Sequence, residues 1–275
     1  MDPLSGCART EGTLVAAYPG NAVRFLDALR SLAAVPARLV VLEPHHGSAV
    51  QLERLLANVP DVSVVPALLG AAPDRVEMIA YNVPGLRSTV PPTAAMRMLY
   101  PGFRARGRYR AGSIDPAELA GNSRGMVQPL HLWIDAPGQE LAILAAWEKA
   151  GLLTQTRQLY LRCSAVPLFA GGAGLQHLQA WAEARDFRQT NLCTDDPDWP
   201  SMTLTADPSA RLQRELQAEL EGVRKALSEA NERADRQKAR IGELEHRLEL
   251  SSQELHRAEG QIRLIRDLLL GEARL

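Results

Sequence analysis

Two periodicities divide the chain. Up to about residue 199, short apolar runs alternate with helical patterns: LVAAY precedes AVRFLDALRSLA, RLVVLE precedes SAVQLERLLANV, and VSVVPALL and RVEMIAYN follow. Later come LHLWID, QELAILAAWEKAG, RQLYLRCS, GLQHLQAWAEARD and FRQTNLC. Strand-sized runs separated by helices of about 10 to 14 residues predict βαβ units around a mostly parallel sheet, with the closing runs pairing as an edge. This is the α/β class. Between Asn82 and Leu130, NVPGLRSTVPPTAAMRMLYPGFRARGRYRAGSIDP has little periodicity and is expected to be a long connection supplying a binding loop or a mobile lid.

Beyond residue 200 the period becomes seven. Leu220, Leu227, Ala234, Ile241, Leu248, Leu255, Ile262 and Leu269 form one series; Val223, Ala230, Gln237, Leu244, Ser251, Ala258 and Ile265 fall three later. This three–four alternation predicts a long coiled-coil helix over 211–270, roughly 90 Å in length at about 1.5 Å per residue. Among flanking charges, Arg240 with Glu245 suits a parallel pair, whereas Arg233 with Lys238 and Glu254 with Glu259 would repel. Antiparallel and heterotypic arrangements therefore stay open, as does a single charged helix or helices folded back on the preceding domain. The tail QIRLIRDLLLGEARL also reads as an amphipathic docking helix, with Asp267 and Glu272 arguing against a membrane surface.

Composition sharpens this boundary. No aromatic residue follows Trp199 and no proline follows Pro208, while 26 of the residues in 211–275 are charged, 13 of each sign, so that segment cannot build a thick core of its own. The expected organisation is a domain over 1–200, a linker over 201–210 and a coiled coil over 211–270. With 31 basic and 32 acidic residues, bulk electrostatics give no case for nucleic acid. MDPLSGCARTEG lacks a secretory pattern, and no apolar run approaches the roughly 18 residues of a membrane span. Cys7, Cys163 and Cys193 share no metal-ligand spacing and form no disulfide framework, so reduced thiols in the cytoplasm are expected.

In such sheets ligands bind beyond the carboxyl ends of the strands. That geometry selects the turn Pro19-Gly20-Asn21, Glu43 after RLVVL, Asn82 after EMIAY and Asp135 after LHLWI. Glu43 stands about twenty residues past the glycine turn, where a carboxylate reaches ribose hydroxyls. Capping His45, His46 or the next helix is an equally physical role for it. The turn has one glycine where a nucleotide loop uses two or three. His45 and His46 are neighbours that would point to opposite sides of a strand, with only Glu43 close by, so no metal is expected. Arg104, Arg106, Arg108 and Arg110, with Phe103 and Tyr109, could meet phosphate or polysaccharide carboxylates, or form a solvated loop. No nucleophile elbow is present, and Cys163 ends an apolar strand as a core residue would.

The stretch VVLEPHHGSAVQLERLLANVPDVSVVPALLG resembles the second and third strand units of the FkbM-like S-adenosylmethionine-dependent methyltransferases. NVPGLRSTV resembles their downstream Asn-and-Ser loop, and IDAPGQELAILAAW their Ile-Asp-Val-Glu-Gly-x-Glu block, with Asp135, Gly138 and Glu140 retained. LYLRCSAVPLFAGG and ARDFRQTNL resemble the last two strands. The likeness spans about residues 12–199 and implies a Rossmann-like methyltransferase fold, with Gly20, Glu43 and Asn82 toward the cofactor and Asp135 near the acceptor.

The departures fall where chemistry would sit. The acidic position before the first turn is Ala16 or Ala17, only Gly20 remains of the glycine loop, Pro137 replaces the Glu of the Asp-Val-Glu-Gly block, and Arg162 stands at the expected acid of the next strand. The expected protein is thus a degenerate, non-catalytic methyltransferase-like scaffold with no cofactor. It would bind a protein partner through its coiled coil, as a homo-oligomer or hetero-complex, in surface-polysaccharide or glycan assembly. The alternative is a divergent methyltransferase that uses S-adenosylmethionine on a glycan hydroxyl. A third class is a glycan- or nucleotide-binding module built on the arginine run.

Overall fold

Alternation along β1 (Arg9–Ala17) sets the layers, because successive side chains serve two cores. Leu14 and Ala16 join Leu39 and Val41 of β2 (Val35–Leu42) against Phe25, Leu26 and Leu29 of α1 (Ala22–Ser31) and Leu52 and Leu56 of α2 (His46–Leu56). Val15, Ala17, Val40 and Leu42 belong to the other core. There they pack with Ile143, Leu144 and Trp147 of α5 (Glu140–Lys149) and Leu178 and Ala182 of α6 (Leu175–Glu183). The computed structural model describes residues 4, 8–32, 34–70, 75–122 and 126–272; Cys7 and the side chain of Leu269 lie outside what is described.

The larger sheet has seven strands in the order β10-β11-β9-β8-β1-β2-β3. It adds β3 (Val62–Val65), β8 (Leu130–Ile134), β9 (Thr156–Arg162), β10 (Phe187–Cys193) and β11 (Ser201–Ala206). The five strands from β9 to β3 are parallel, and β11 lies antiparallel between β9 and β10. After β3 the chain returns to the far side of β1 to start β8. The strand order therefore reverses between β1 and β8, and a crevice opens at their carboxyl ends.

A second sheet, ordered β4-β7-β5-β6, comprises β4 (Ala67–Leu69), β5 (Arg75–Tyr81), β6 (Arg87–Ser88) and β7 (Ala105–Ile114). Only β4 and β7 are parallel in it. Both sheets are therefore mixed: the larger is parallel over five of its seven strands with an antiparallel edge, and the second sheet was not expected from the sequence. The run VSVVPALL divides at Pro66, which has no N–H to give a ladder, and its halves join different sheets.

Residues 82–130 are a structured insertion rather than a loop or lid. They hold β6, α3 (Ala94–Leu99), β7 and α4 (Pro116–Asn122). The arginine run lies largely within β7, where Arg106, Arg108 and Arg110 share the exposed side and Arg108 Nη1 is 2.6 Å from Glu77 Oε2. The expected linker is also corrected. Residues 201–206 are β11, buried inside the sheet order, and the first compact unit runs Met1–Pro208.

The second unit, Ser209–Leu275, carries α7 (Pro208–Glu272) as one unbroken helix of 65 residues, about 97 Å long. It makes no hairpin. Its heptad leucines are on the outside: Leu220, Leu227, Leu248 and Leu255 are 49–74 % exposed. No described helix is long and apolar enough to cross a membrane.

Candidate functional site

At the crevice, β1 gives way to a turn whose every residue has a structural task. Tyr18 adopts a left-handed φ of 59°, unfavourable for a side-chain-bearing residue, and turns its ring inward. It is buried, and its hydroxyl donates to the Leu69 carbonyl at 3.2 Å. Gly20 has φ +57°, and a Cβ there would stand 2.9 Å from the Gly85 carbonyl oxygen. The glycine thus lets the backbone around Gly85 pack directly on the turn. Asn21 caps α1, its Oδ1 accepting from the N–H groups of Val23 and Arg24 at 3.1 Å each.

Glu43, just past β2, is wholly buried. Its Oε1 accepts from the His45 N–H at 2.9 Å and from Arg87 Nη1 at 3.0 Å, so the capping role read as an alternative from sequence is the observed one. Arg87 Nη2 continues to Ser48 Oγ at 2.8 Å. Oε2 has no hydrogen-bond partner, although the Gly20 N–H faces the carboxylate outside normal geometry. Burial raises the Glu43 pKa, against the opposing pull of Arg87 and the His45 and Gly20 N–H groups. His45 caps α2: its Nδ1 accepts from the Ser48 N–H at 3.2 Å and so carries no proton. Burial lowers its pKa, helped by Arg87 and His46.

Asp135, just past β8, has both carboxylate oxygens engaged. Oδ2 is 2.8 Å from Arg24 Nη2 and Oδ1 is 3.2 Å from Arg162 Nη1. Arg162 also reaches Asp196 Oδ2 at 2.8 Å, and its guanidinium lies 5.3 Å over the Trp199 ring. Trp199 Nε1 donates to the Tyr100 hydroxyl at 3.2 Å, which donates to Asp198 at 3.0 Å. The chain Arg24–Asp135–Arg162–Asp196 therefore crosses the crevice. All four residues line a cavity of about 200 Å³ together with Tyr18, Gly20, Gly85 and Trp199, and they also line a second cavity of about 320 Å³.

Of the residues selected from sequence, Gly20, Glu43 and Asp135 come together here. Asn82 does not. Its amide donates to the Gly102 carbonyl at 3.1 Å and accepts from the Arg104 N–H at 3.0 Å, holding the start of β7 beside the end of β5. Arg24, Arg87, Asp196 and Trp199 were not selected from sequence, because nothing in their local pattern marks a partner dozens of residues away. Arg162, noted as a basic residue in an acidic position, was the one legible signal.

Glu140 is the other unusual group. It opens α5, is buried, and accepts from the Gly138 N–H at 3.1 Å through Oε1, while Oε2 has no partner. Burial lifts its pKa from 4.5 to about 7, with Asp135 adding in the same direction. Burial likewise pushes the Cys163 thiol up to about 12, as a packed core cysteine requires. Among the described residues no group of three or more His, Cys, Asp or Glu is placed to hold a metal ion.

Comparison with known proteins finds distant likeness only. No family model and no curated protein sequence matches the chain. Among solved structures, it is similar to the methyltransferase FkbM from Methylobacillus flagellatus KT at 13 % identity and TM-score 0.43, over 72 % of this chain and 44 % of that one. TrmK of M. capricolum, in complex with S-adenosyl-homocysteine, matches at 6 % identity and TM-score 0.38, over 74 % and 66 %. A protein of the NADB-Rossmann superfamily from Streptococcus agalactiae matches at 10 % identity and TM-score 0.34, over 74 % and 65 %. The chain spans less than two thirds of each of these structures, and TM-scores below 0.5 identify neither family nor activity. The fold itself is Rossmann-like on its own strand order: the halves of the sheet diverge from β1, and the crevice sits at the reversal.

Proposed function

We propose that the unit Met1–Pro208 is a methyltransferase-like body whose cofactor crevice has been taken over by internal ion pairs, and that the protein works as a non-catalytic scaffold. The observation that carries this is Asp135, bridged on both oxygens by Arg24 and Arg162.

The residues present do not fit S-adenosylmethionine. The turn that should approach the cofactor is packed against the Gly85 backbone, and Tyr18 fills the space beside it. A cavity of about 200 Å³ and another of about 320 Å³ share Arg24, Asp135, Arg162, Asp196 and Trp199 in their walls, so the ion-paired side chains stand in the space that an enclosed ligand would occupy. Glu43 spends one oxygen on Arg87 and His45. Its second oxygen, without a partner, is the single feature that favours the competing reading of an O-methyltransferase acting on a glycan hydroxyl.

The scaffold would act through α7, whose heptad face stands uncovered, by self-association or by binding a protein partner. Its setting, cytoplasmic assembly of a surface polysaccharide or glycan, follows from the FkbM resemblance of the sequence motifs. The test is calorimetric titration of S-adenosylmethionine and of S-adenosylhomocysteine onto the full chain. No binding up to millimolar ligand is expected. Micromolar binding that Glu43→Gln abolishes would overturn the scaffold reading in favour of the enzyme.

A further inference from the structure

We propose that α7 pairs with a second copy of this chain in the antiparallel sense, centred between Gly242 and Glu243. The inference rests on reading α7 as a self-associating helix and adds its direction and register. The seam residues from Leu216 to Ile265 are exposed, so the occupant must match both their sizes and the charges that flank them.

A parallel pair matches neither. In register it sets each residue against itself, so Ala230 and Ala234 would make two successive thin layers followed by a polar one at Gln237, with Ser251 and Ala258 making two more thin layers. Layers of small side chains leave unfilled volume, which tight packing does not tolerate. Its flanking pairs cancel: Glu219–Arg224 and Arg240–Glu245 attract, but Arg233–Lys238 and Glu254–Glu259 repel.

The antiparallel register answers both problems. Each first-series residue then faces a second-series residue of the other copy. Leu227 meets Ala258 and Leu255 meets Ala230, so large side chains fill the places that small ones leave, and Leu248 meets Gln237, so that the two glutamines no longer face each other. Ile241 meets Leu244 at the centre and Ile262 meets Val223 further out; Ala234 with Ser251 is the thin layer that remains. Among the flanks, Arg224–Glu259, Lys238–Glu245 and Arg233–Glu254 attract, and Arg240–Arg247 alone among the charged pairs repels. The symmetry axis makes each contact twice. The seam spans residues 216–269, and the two Ser209 positions, where each chain enters its helix, stand about 100 Å apart at opposite ends of the rod.

The full chain tests this in solution. Sedimentation should give a dimer mass. Under mild oxidation, a mixture of the Leu227→Cys and Ala258→Cys variants should cross-link, while each variant alone should stay at the wild-type background. Lys238→Glu should weaken association about tenfold, by setting a second Glu against Glu245, and adding Glu245→Lys should restore it. In a parallel pair both signs reverse: each cysteine variant links to itself, and Lys238→Glu strengthens association by relieving Arg233. Either of those results, or a trimer or tetramer mass, overturns the antiparallel pair while leaving an oligomeric scaffold intact. A monomer at every concentration overturns self-association as well, and neither outcome bears on the cofactor titration.

Discussion

The crevice at the end of the large sheet and the outer face of α7 are built as opposites. In the crevice, carboxylates that are buried or nearly so are matched to arginines: Glu43 with Arg87, and Asp135 with Arg162 and the half-exposed Arg24. On α7, leucines and isoleucines such as Leu227, Leu248 and Ile262 are more than half exposed. A buried charge is expensive unless paired, so once the crevice supplies its own counter-ions there is little unmet demand left for a ligand. An uncovered apolar face has the reverse property, since its demand can be met only by another surface. On the proposed scaffold reading, binding would fall to α7 rather than to the crevice where the fold normally keeps it.

That contrast can be broken most forcefully at Arg87. Arg87→Met leaves Glu43 buried and unpaired, and the unit Met1–Pro208 should lose about 3–5 kcal/mol in urea unfolding at pH 8. Adding Glu43→Gln should recover most of the loss, because the stranded charge goes with it. A loss below about 1 kcal/mol would mean that the crevice charges are not what holds this end of the sheet.

Glu140 offers a test in pH. Its folded pKa of about 7 lies above the unfolded value near 4.5, so the folded state holds the proton more tightly. The resulting stability is fully present below about pH 4.5 and is lost as pH rises through about 7, by roughly 3 kcal/mol at most. His45 and His131, both with lowered pKa values, act in the opposite direction. The measurement is therefore the difference between wild type and Glu140→Gln in urea midpoints from pH 4.5 to 8.5. The variant should lose the Glu140 share of the falling component and keep that of Glu43, whose pKa burial also raises; parallel curves would show that Glu140 is not a titrating group.

The smallest effect is expected on the other side of the comparison. Leu248→Ala removes a large apolar side chain that is 74 % exposed, so the unfolding midpoint of Met1–Pro208 should move by less than about 0.5 kcal/mol. The change should appear in the concentration dependence of the helical signal instead. A shift of about 2 kcal/mol or more in the domain transition, as for a buried leucine, would show that the face is covered within the chain.

Much of the layered core was legible because near-continuous apolar runs such as LVAAY and LHLWI serve strands covered on both faces, and their neighbours AVRFLDAL and QELAILAAW carry helical stripes. The insertion was less so. RARGRYRAGSI alternates as a strand should, but its arginines made it read as a loop. SMTLTA alternates too, yet its position past the last aromatic suggested a linker. Local signals for the helices of the insertion were present but short: Thr93 accepts from the Met96 N–H, and Asp115 Oδ1 from the Ala117 N–H. For the site, Glu43 and Asp135 could be found from strand ends alone. Their partners could not, because Arg87 and Arg24 lie 44 and 111 residues away in the chain.

Periodicity alone settled which residues are apolar in the core, where the helix of seven-residue repeat begins to dominate, and that a glycine turn follows the first strand. Those are consequences of local geometry, since side-chain direction repeats every two or three to four residues whatever the chain does elsewhere. Which carboxylate meets which arginine, the insertion of β11 between β9 and β10, and the closure of the Gly20 turn by Gly85 depend on segments far apart in sequence. They were decided when the sheet closed around β1 and brought three strand ends to one place. Pro19-Gly20-Asn21 has the form of a ligand turn, and only the tertiary structure shows that the Gly85 backbone is packed on it.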